Sequence, residues 1–136
     1  LRHGVEKVKT IGDAYMVASG IPEPVADHAD RMLAFARDML KVVERVNLKY
    51  ETDLELRIGI NSGPVVAGVL GKNKFAYDVW GDAVNVASRM ESHGLPGKIH
   101  VSENTRRLAA GSHSFAPRGR IQIKGKGAME TFLMMS

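Results

Sequence analysis

Asn85 and Arg89 stand four residues apart in Asp82-Ala83-Val84-Asn85-Val86-Ala87-Ser88-Arg89-Met90, and Asp78 lies just upstream at the end of a run rich in aromatic and branched residues. On a helix, a spacing of four places the amide and the guanidinium side by side on one face. Ala83, Val86, Ala87 and Met90 recur at helical spacing on another face as an apolar stripe. A guanidinium holds phosphate oxygens in a fixed, two-pronged geometry. The net charge of +4 is compatible with an anionic small substrate. Taken alone, the pair reads more readily as a solvated helix face with an incidental ion pair, because surfaces carry many of these.

The elements that would hold this cluster follow from periodicity. Phe75 to Trp80 reads as a strand, Gly81 breaks it, and Asp82 is the expected N-cap of the following helix. Upstream, Val5 to Thr10 and Ala14 to Ser19 read as strands joined by a tight turn at Gly12-Asp13. Pro22 and Pro24 make 20–24 a loop. A long helix is predicted from Val25 to Leu48, with Ala29, Met32, Leu33, Ala36, Met39, Leu40, Val43 and Val46 as its apolar stripe. Leu54, Leu56, Ile58 and Ile60 alternate with Glu55, Arg57, Gly59 and Asn61, which predicts a half-buried strand. The run 63–71 is apolar and bounded by glycine, and its type stays open. Lys98 to Ser102 reads as a short strand, then Glu103 to Ala110 as a short helix capped by Ser102 or Glu103. Arg120 to Lys124 and Met129 to Met134 read as a closing hairpin around Lys124-Gly125-Lys126-Gly127. Hairpins intermixed with helices place the chain in the α+β class.

A length of 136 residues corresponds to one domain with a real core. With no cysteine, a disulfide framework and a thiolate metal site are excluded. The five histidines show no close ligand spacing. No apolar run reaches membrane-spanning length and no signal peptide is read, so the expected location is cytoplasmic. Charges are scattered and aromatics few, which argues against nucleic acid as a partner.

The phrase Tyr77-Asp78-Val79-Trp80-Gly81 followed by Val84-Asn85-Val86-Ala87-Ser88-Arg89-Met90 resembles the signature of the class III nucleotidyl cyclases, the adenylyl and guanylyl cyclase catalytic domains. Lys9-Thr10-Ile11-Gly12-Asp13 and Lys124-Gly125-Lys126-Gly127 match in the same order, so the resemblance covers essentially the whole chain. It implies a ferredoxin-like βαββαβ-type core and conversion of ATP to 3′,5′-cyclic AMP and pyrophosphate. Lys9 and Asp78 would specify the purine, since adenine presents an acceptor and a donor that Lys and Asp complement. Guanylyl cyclases typically carry Glu and Cys there. Arg89 would stabilise charge on the phosphoryl oxygens, Asn85 would orient the ribose, and Lys124 would hold the terminal phosphates. Asp13 would ligate Mg²⁺ or Mn²⁺ in a two-ion site. Taken singly, Lys9 also reads as a solvated strand residue, Asp78 as a turn-capping carboxylate and Lys124 as a hairpin-tip lysine.

The resemblance further implies a head-to-tail homodimer whose two sites lie at the interface. The family's first metal-binding Asp lies on a strand upstream of Leu1. On this reading residues 1–136 are the C-terminal two-thirds of one catalytic domain, without its first strand and following helices, and the fragment alone is expected to be inactive. The alternatives are a non-catalytic cyclase-homology domain kept for pairing and regulation, and a guanylyl cyclase. Retention of Lys9, Asp78, Asn85 and Arg89 favours an adenylyl cyclase.

Overall fold

A computed structural model describes residues 5–11, 14–19, 27–63, 66–70, 76–111, 113–123 and 126–135; among these, for 5–11, 14, 15, 18, 66–70 and 76–80 the backbone alone is described. Eight strands and three helices follow in the order β1 (Val5–Ile11), β2 (Ala14–Ser19), α1 (His28–Tyr50), β3 (Ile58–Ile60), β4 (Val66–Leu70), β5 (Ala76–Trp80), α2 (Asp82–Ser92), β6 (Ile99–Ser102), α3 (Glu103–Ala109), β7 (Phe115–Ile123) and β8 (Gly127–Met134). The class is α+β, as expected. The open run 63–71 contains a strand, β4, paired antiparallel to β5. β1 and β2 form a second antiparallel pair.

The remaining strands form a sheet of order β3-β6-β8-β7, with β3 parallel to β6 and the other neighbours antiparallel. Alternation along these strands sorts side chains onto two faces. On one face Ile58 and Ile60 of β3, Ile99 and Val101 of β6, and Phe132 and Met134 of β8 pack with Ala29, Leu33 and Ala36 of α1 and Ala109 of α3. On the other face Ile121 and Ile123 of β7 and Met129 of β8 pack against Val86 and Met90 of α2. Phe115 and Ile123 sit on opposite faces although both are odd-numbered, because the register of β7 slips by one between Pro117 and Gly119. β7 is an edge strand of this sheet, where a proline that cannot donate to a ladder is tolerated.

Several boundaries differ from those the sequence predicts. Val25 and Ala26 lie outside the described residues, and α1 runs on to Tyr50 before Glu51 ends it in the left-handed conformation (φ 54°). The predicted strand from Leu54 contracts to Ile58–Ile60, and Leu54 is exposed. Asn47 explains this, because its amide takes up both backbone groups of Leu54. Leu54 N–H donates to Asn47 Oδ1 (2.9 Å), and Asn47 Nδ2 donates to the Leu54 carbonyl (3.0 Å). No backbone group of Leu54 is left for a neighbouring strand. Asp82 is not the N-cap of α2. Gly81 occupies that position at φ 124°, a value that favours glycine, and Asp82 is the first helical residue. Ser102 does cap α3, accepting from Thr105 N–H. The closing hairpin holds longer strands than expected, beginning at Phe115.

Gly59 is the point of closest approach between the sheet and α2. A Cβ added there would lie 2.0 Å from the Glu91 nitrogen and 2.4 Å from the Met90 carbonyl carbon. Both are backbone atoms, so relief requires moving the helix. Gly59→Ala is therefore expected to lower the unfolding midpoint in heat or urea, by about 1–3 kcal/mol as for other overpacked sites. Gly111→Ala, where a Cβ meets open space, should stay within about 0.5 kcal/mol of wild type, as surface changes do. An unchanged midpoint for Gly59→Ala would contradict the close approach.

Candidate active site

With Val86 and Met90 fully buried beneath α2, its opposite face is fixed outward. Asn85 and Arg89 occupy that face and are exposed. One helical turn, about 6 Å of rise, separates them. They line a groove of about 370 Å³ together with Asp82, Ser88 and Ser92, and Ile123 of β7 supplies its apolar part. Among the described residues, neither the Asn85 amide nor the Arg89 guanidinium has an ion pair or hydrogen bond to another side chain. Its exposure leaves the guanidinium accessible to an anion.

Three contacts besides the Gly59 approach set the position of α2. Asn61, just after β3, donates from Nδ2 to the Ala83 carbonyl in the first turn (2.9 Å). His100 of β6 donates from Nδ1 to the Met90 carbonyl in the last turn (2.7 Å). That carbonyl would ordinarily receive Gly94 N–H, which bonds Glu91 instead. Because a carbonyl only accepts, the contact places the proton of neutral His100 on Nδ1. Outside, Arg57 pairs with Glu91 at 3.0 Å. Asn61 itself accepts from Ser102 Oγ at 2.5 Å, and Ser62 and Thr105 exchange a hydrogen bond at 2.9 Å. A buried polar network thus joins the first turn of α2 to the cap of α3.

Of the site residues expected from sequence, Asn85 and Arg89 are brought together. Lys9 lies in β1, directly after a register slip between Lys7 and Lys9, and Asp78 lies in β5 opposite Gly68. β1 and β5 run beside one another, so the two strands that carry Lys9 and Asp78, the residues expected from sequence to read the purine, are neighbours. Asp13 and Lys124 lie outside the described residues. Among the described residues no group of three His, Asp or Glu could hold a metal ion. No helix among them is long and apolar enough to cross a membrane. Gly59, Asn61, His100 and Lys126 are site-supporting residues not identified from sequence. The even alternation of Gly59 and His100 against Ile58, Ile60, Ile99 and Val101 was the available signal.

Comparison with known proteins adds relatives to this geometry. The family model described as adenylate and guanylate cyclase catalytic domain matches residues 1–136. The chain is 46% identical over 134 residues to an adenylate cyclase of Mycobacterium tuberculosis, covering 98% of this chain and 30% of that protein. It is 47% identical over 135 residues to the guanylate cyclase soluble subunit beta-2 of Rattus norvegicus, covering 98% of this chain and 20% of that protein. Among solved structures, the guanylate cyclase domain of RhGC from Catenaria anguillulae in complex with GTP superimposes with a TM-score of 0.88 at 44% identity, covering 99% of this chain and 74% of that one. The chain thus spans less than a third of the length of these two curated relatives.

His100 makes the support of α2 sensitive to pH. Burial holds its pKa below the ordinary value; the Met90 carbonyl opposes that shift, while Arg118 and His93 add to it. A base whose native pKa is depressed binds fewer protons folded than unfolded, so stability rises with pH. Its contribution is fully present above the unfolded value of about 6.5 and is lost as pH falls toward the lower native pKa. The melting temperature should fall between pH 7.5 and 5.5, and His100→Gln should flatten that slope. An equal slope in the variant would show that His100 does not carry the effect.

Proposed function

The chain belongs to the adenylate and guanylate cyclase catalytic domain family, and within it we propose an adenylyl cyclase that converts ATP to 3′,5′-cyclic AMP and pyrophosphate. One observation carries the reading: a guanidinium without a partner among the described residues stands one turn from an exposed amide, in a groove and in the family's register. In the reaction the ribose 3′-hydroxyl attacks the α-phosphorus, the new O–P bond closes the ring, and the bond to the β-phosphate breaks. Arg89 stabilises the charge that develops on the α-phosphoryl oxygens, where a preorganised cation is worth most. Asn85 holds the ribose so that the hydroxyl is already aligned, which removes part of the entropic barrier. Lys124 binds the terminal phosphates, and Asp13 would contribute a carboxylate to Mg²⁺ or Mn²⁺. These ions neutralise the polyphosphate when bound.

Specificity for ATP rests on Lys9 and Asp78, which complement the adenine edge. A guanylyl cyclase is the second reading, because the adenylate and guanylate cyclases cited above share nearly the same identity with this chain. The base-reading pair separates the two readings, since a purine edge with reversed donors and acceptors would leave Lys9 and Asp78 mismatched.

The site is completed by a second copy of the chain. One subunit provides Asp13, and the other provides Lys9, Asp78, Asn85, Arg89 and Lys124. A domain of the length of the solved relatives should therefore form cyclic AMP from ATP in preference to cyclic GMP from GTP. In that domain Asp13→Ala and Arg89→Ala should each be nearly inactive alone. After subunit exchange, half of the dimers are mixed, and each has one intact site. Activity should recover to roughly a quarter of wild type per total protein, from random pairing of equivalent subunits. A mixture that stays inactive although its subunits exchange contradicts the shared site, and preferred turnover of GTP contradicts the adenine reading.

A further inference from the structure

Among the described residues that line the groove, Asp82 is the only carboxylate. Its Oδ2 lies 2.5 Å from Nζ of Lys126, in the turn between β7 and β8. That turn is closed by Lys126 N–H donating to the carbonyl of Ile123, the groove's apolar residue. As the first helical residue, Asp82 suits the positive end of α2. For an anionic ligand the same carboxylate is repulsive unless a cation covers it. We infer that Lys126 is a positioning and neutralising residue: by pairing with Asp82 it cancels that carboxylate's charge, so that Asp82 does not oppose the phosphates that Arg89 and Lys124 meet.

The magnitudes separate this role from a merely structural one. Both side chains are substantially exposed, at 38% for Lys126 and 63% for Asp82. Exposed pairs add little to stability, so breaking this one should scarcely move the melting temperature. Its effect on a nearby polyphosphate is larger, because that ligand carries several charges. The inference rests on the reading of the groove as a nucleotide site.

The test is a double-mutant cycle on KM for ATP in a domain of the relatives' length. Lys126→Gln should raise KM about fivefold, the order expected for one uncovered charge several Å away at a partly solvated site. Asp82→Asn should lower KM, since Lys126 is then released as an additional cation. The double variant should return to within about twofold of wild type, because covering charge and covered charge are removed together. The increase in KM for Lys126→Gln should also shrink as salt is added, while its kcat and melting temperature stay near wild type. A double variant as impaired as Lys126→Gln would show that Lys126 binds phosphate directly and overturn the inference. An unchanged KM in Lys126→Gln would overturn it as well. Both outcomes leave the nucleotide reading intact. A wild-type domain that neither binds nor turns over ATP or GTP would remove the reading and the inference together.

Discussion

The approach of α2 to Gly59 is the constraint on which the candidate site depends. Hydrogen at that position lets the backbone of Met90 and Glu91 lie directly on β3, closer than any side chain would allow. Val86 and Met90 are then carried onto the lower face of the sheet beside Ile123. Burying that stripe turns Asn85 and Arg89 to the opposite side without any further interaction. Packing alone leaves a helix free to slide or rotate slightly, and a chemical site is sensitive to small displacements. Asn61 and His100 remove that freedom by holding one carbonyl near each end. The apolar contact supplies most of the attachment, and the two hydrogen bonds fix the register.

The site and its support obey opposite electrostatic rules. Beneath the helix, His100 is fully buried, and desolvation favours its neutral form. A charge there would carry a large desolvation penalty, which the Met90 carbonyl offsets only in part. Above the helix, Arg89 remains exposed, where a guanidinium keeps its hydration until an anion replaces it. The polar network around Asn61, Ser62, Ser102 and Thr105 is satisfied among its own members and by the Ala83 carbonyl of α2. Rigidity below and open valence above are the arrangement expected of a preorganised anion site.

Much of this was legible in the sequence because it lies in local periodicity. The stripe of Val86 and Met90 and the shared face of Asn85 and Arg89 follow from helical spacing and are found in the structure. The expected hairpins and the long first helix are likewise present, and α+β is the class observed. What local patterns missed came from contacts between distant residues. Leu54 continues a clean strand alternation, yet the Asn47 amide captures its backbone. Asp82 is a good capping residue by type, but Lys126 engages its carboxylate and Gly81 takes the capping position. His100 looked like one of several scattered histidines, and only the fold places it under Met90. The motifs of the resemblance located the candidate chemistry, whereas the support for that chemistry became visible only in three dimensions.

The central claim is that α2, held from below by β3 and β6, presents Arg89 and Asn85 to a nucleoside triphosphate. It is tested most directly by a crystal structure of a domain of the relatives' length bound to a non-cyclising ATP analogue. The Arg89 guanidinium should then lie about 2.7–2.9 Å from an α-phosphate oxygen, the range of charge-assisted hydrogen bonds. Asn85 should lie on the ribose, with the Asn61 and His100 contacts to α2 intact. A nucleotide bound away from this groove, or one with Arg89 turned from the phosphates, would contradict it.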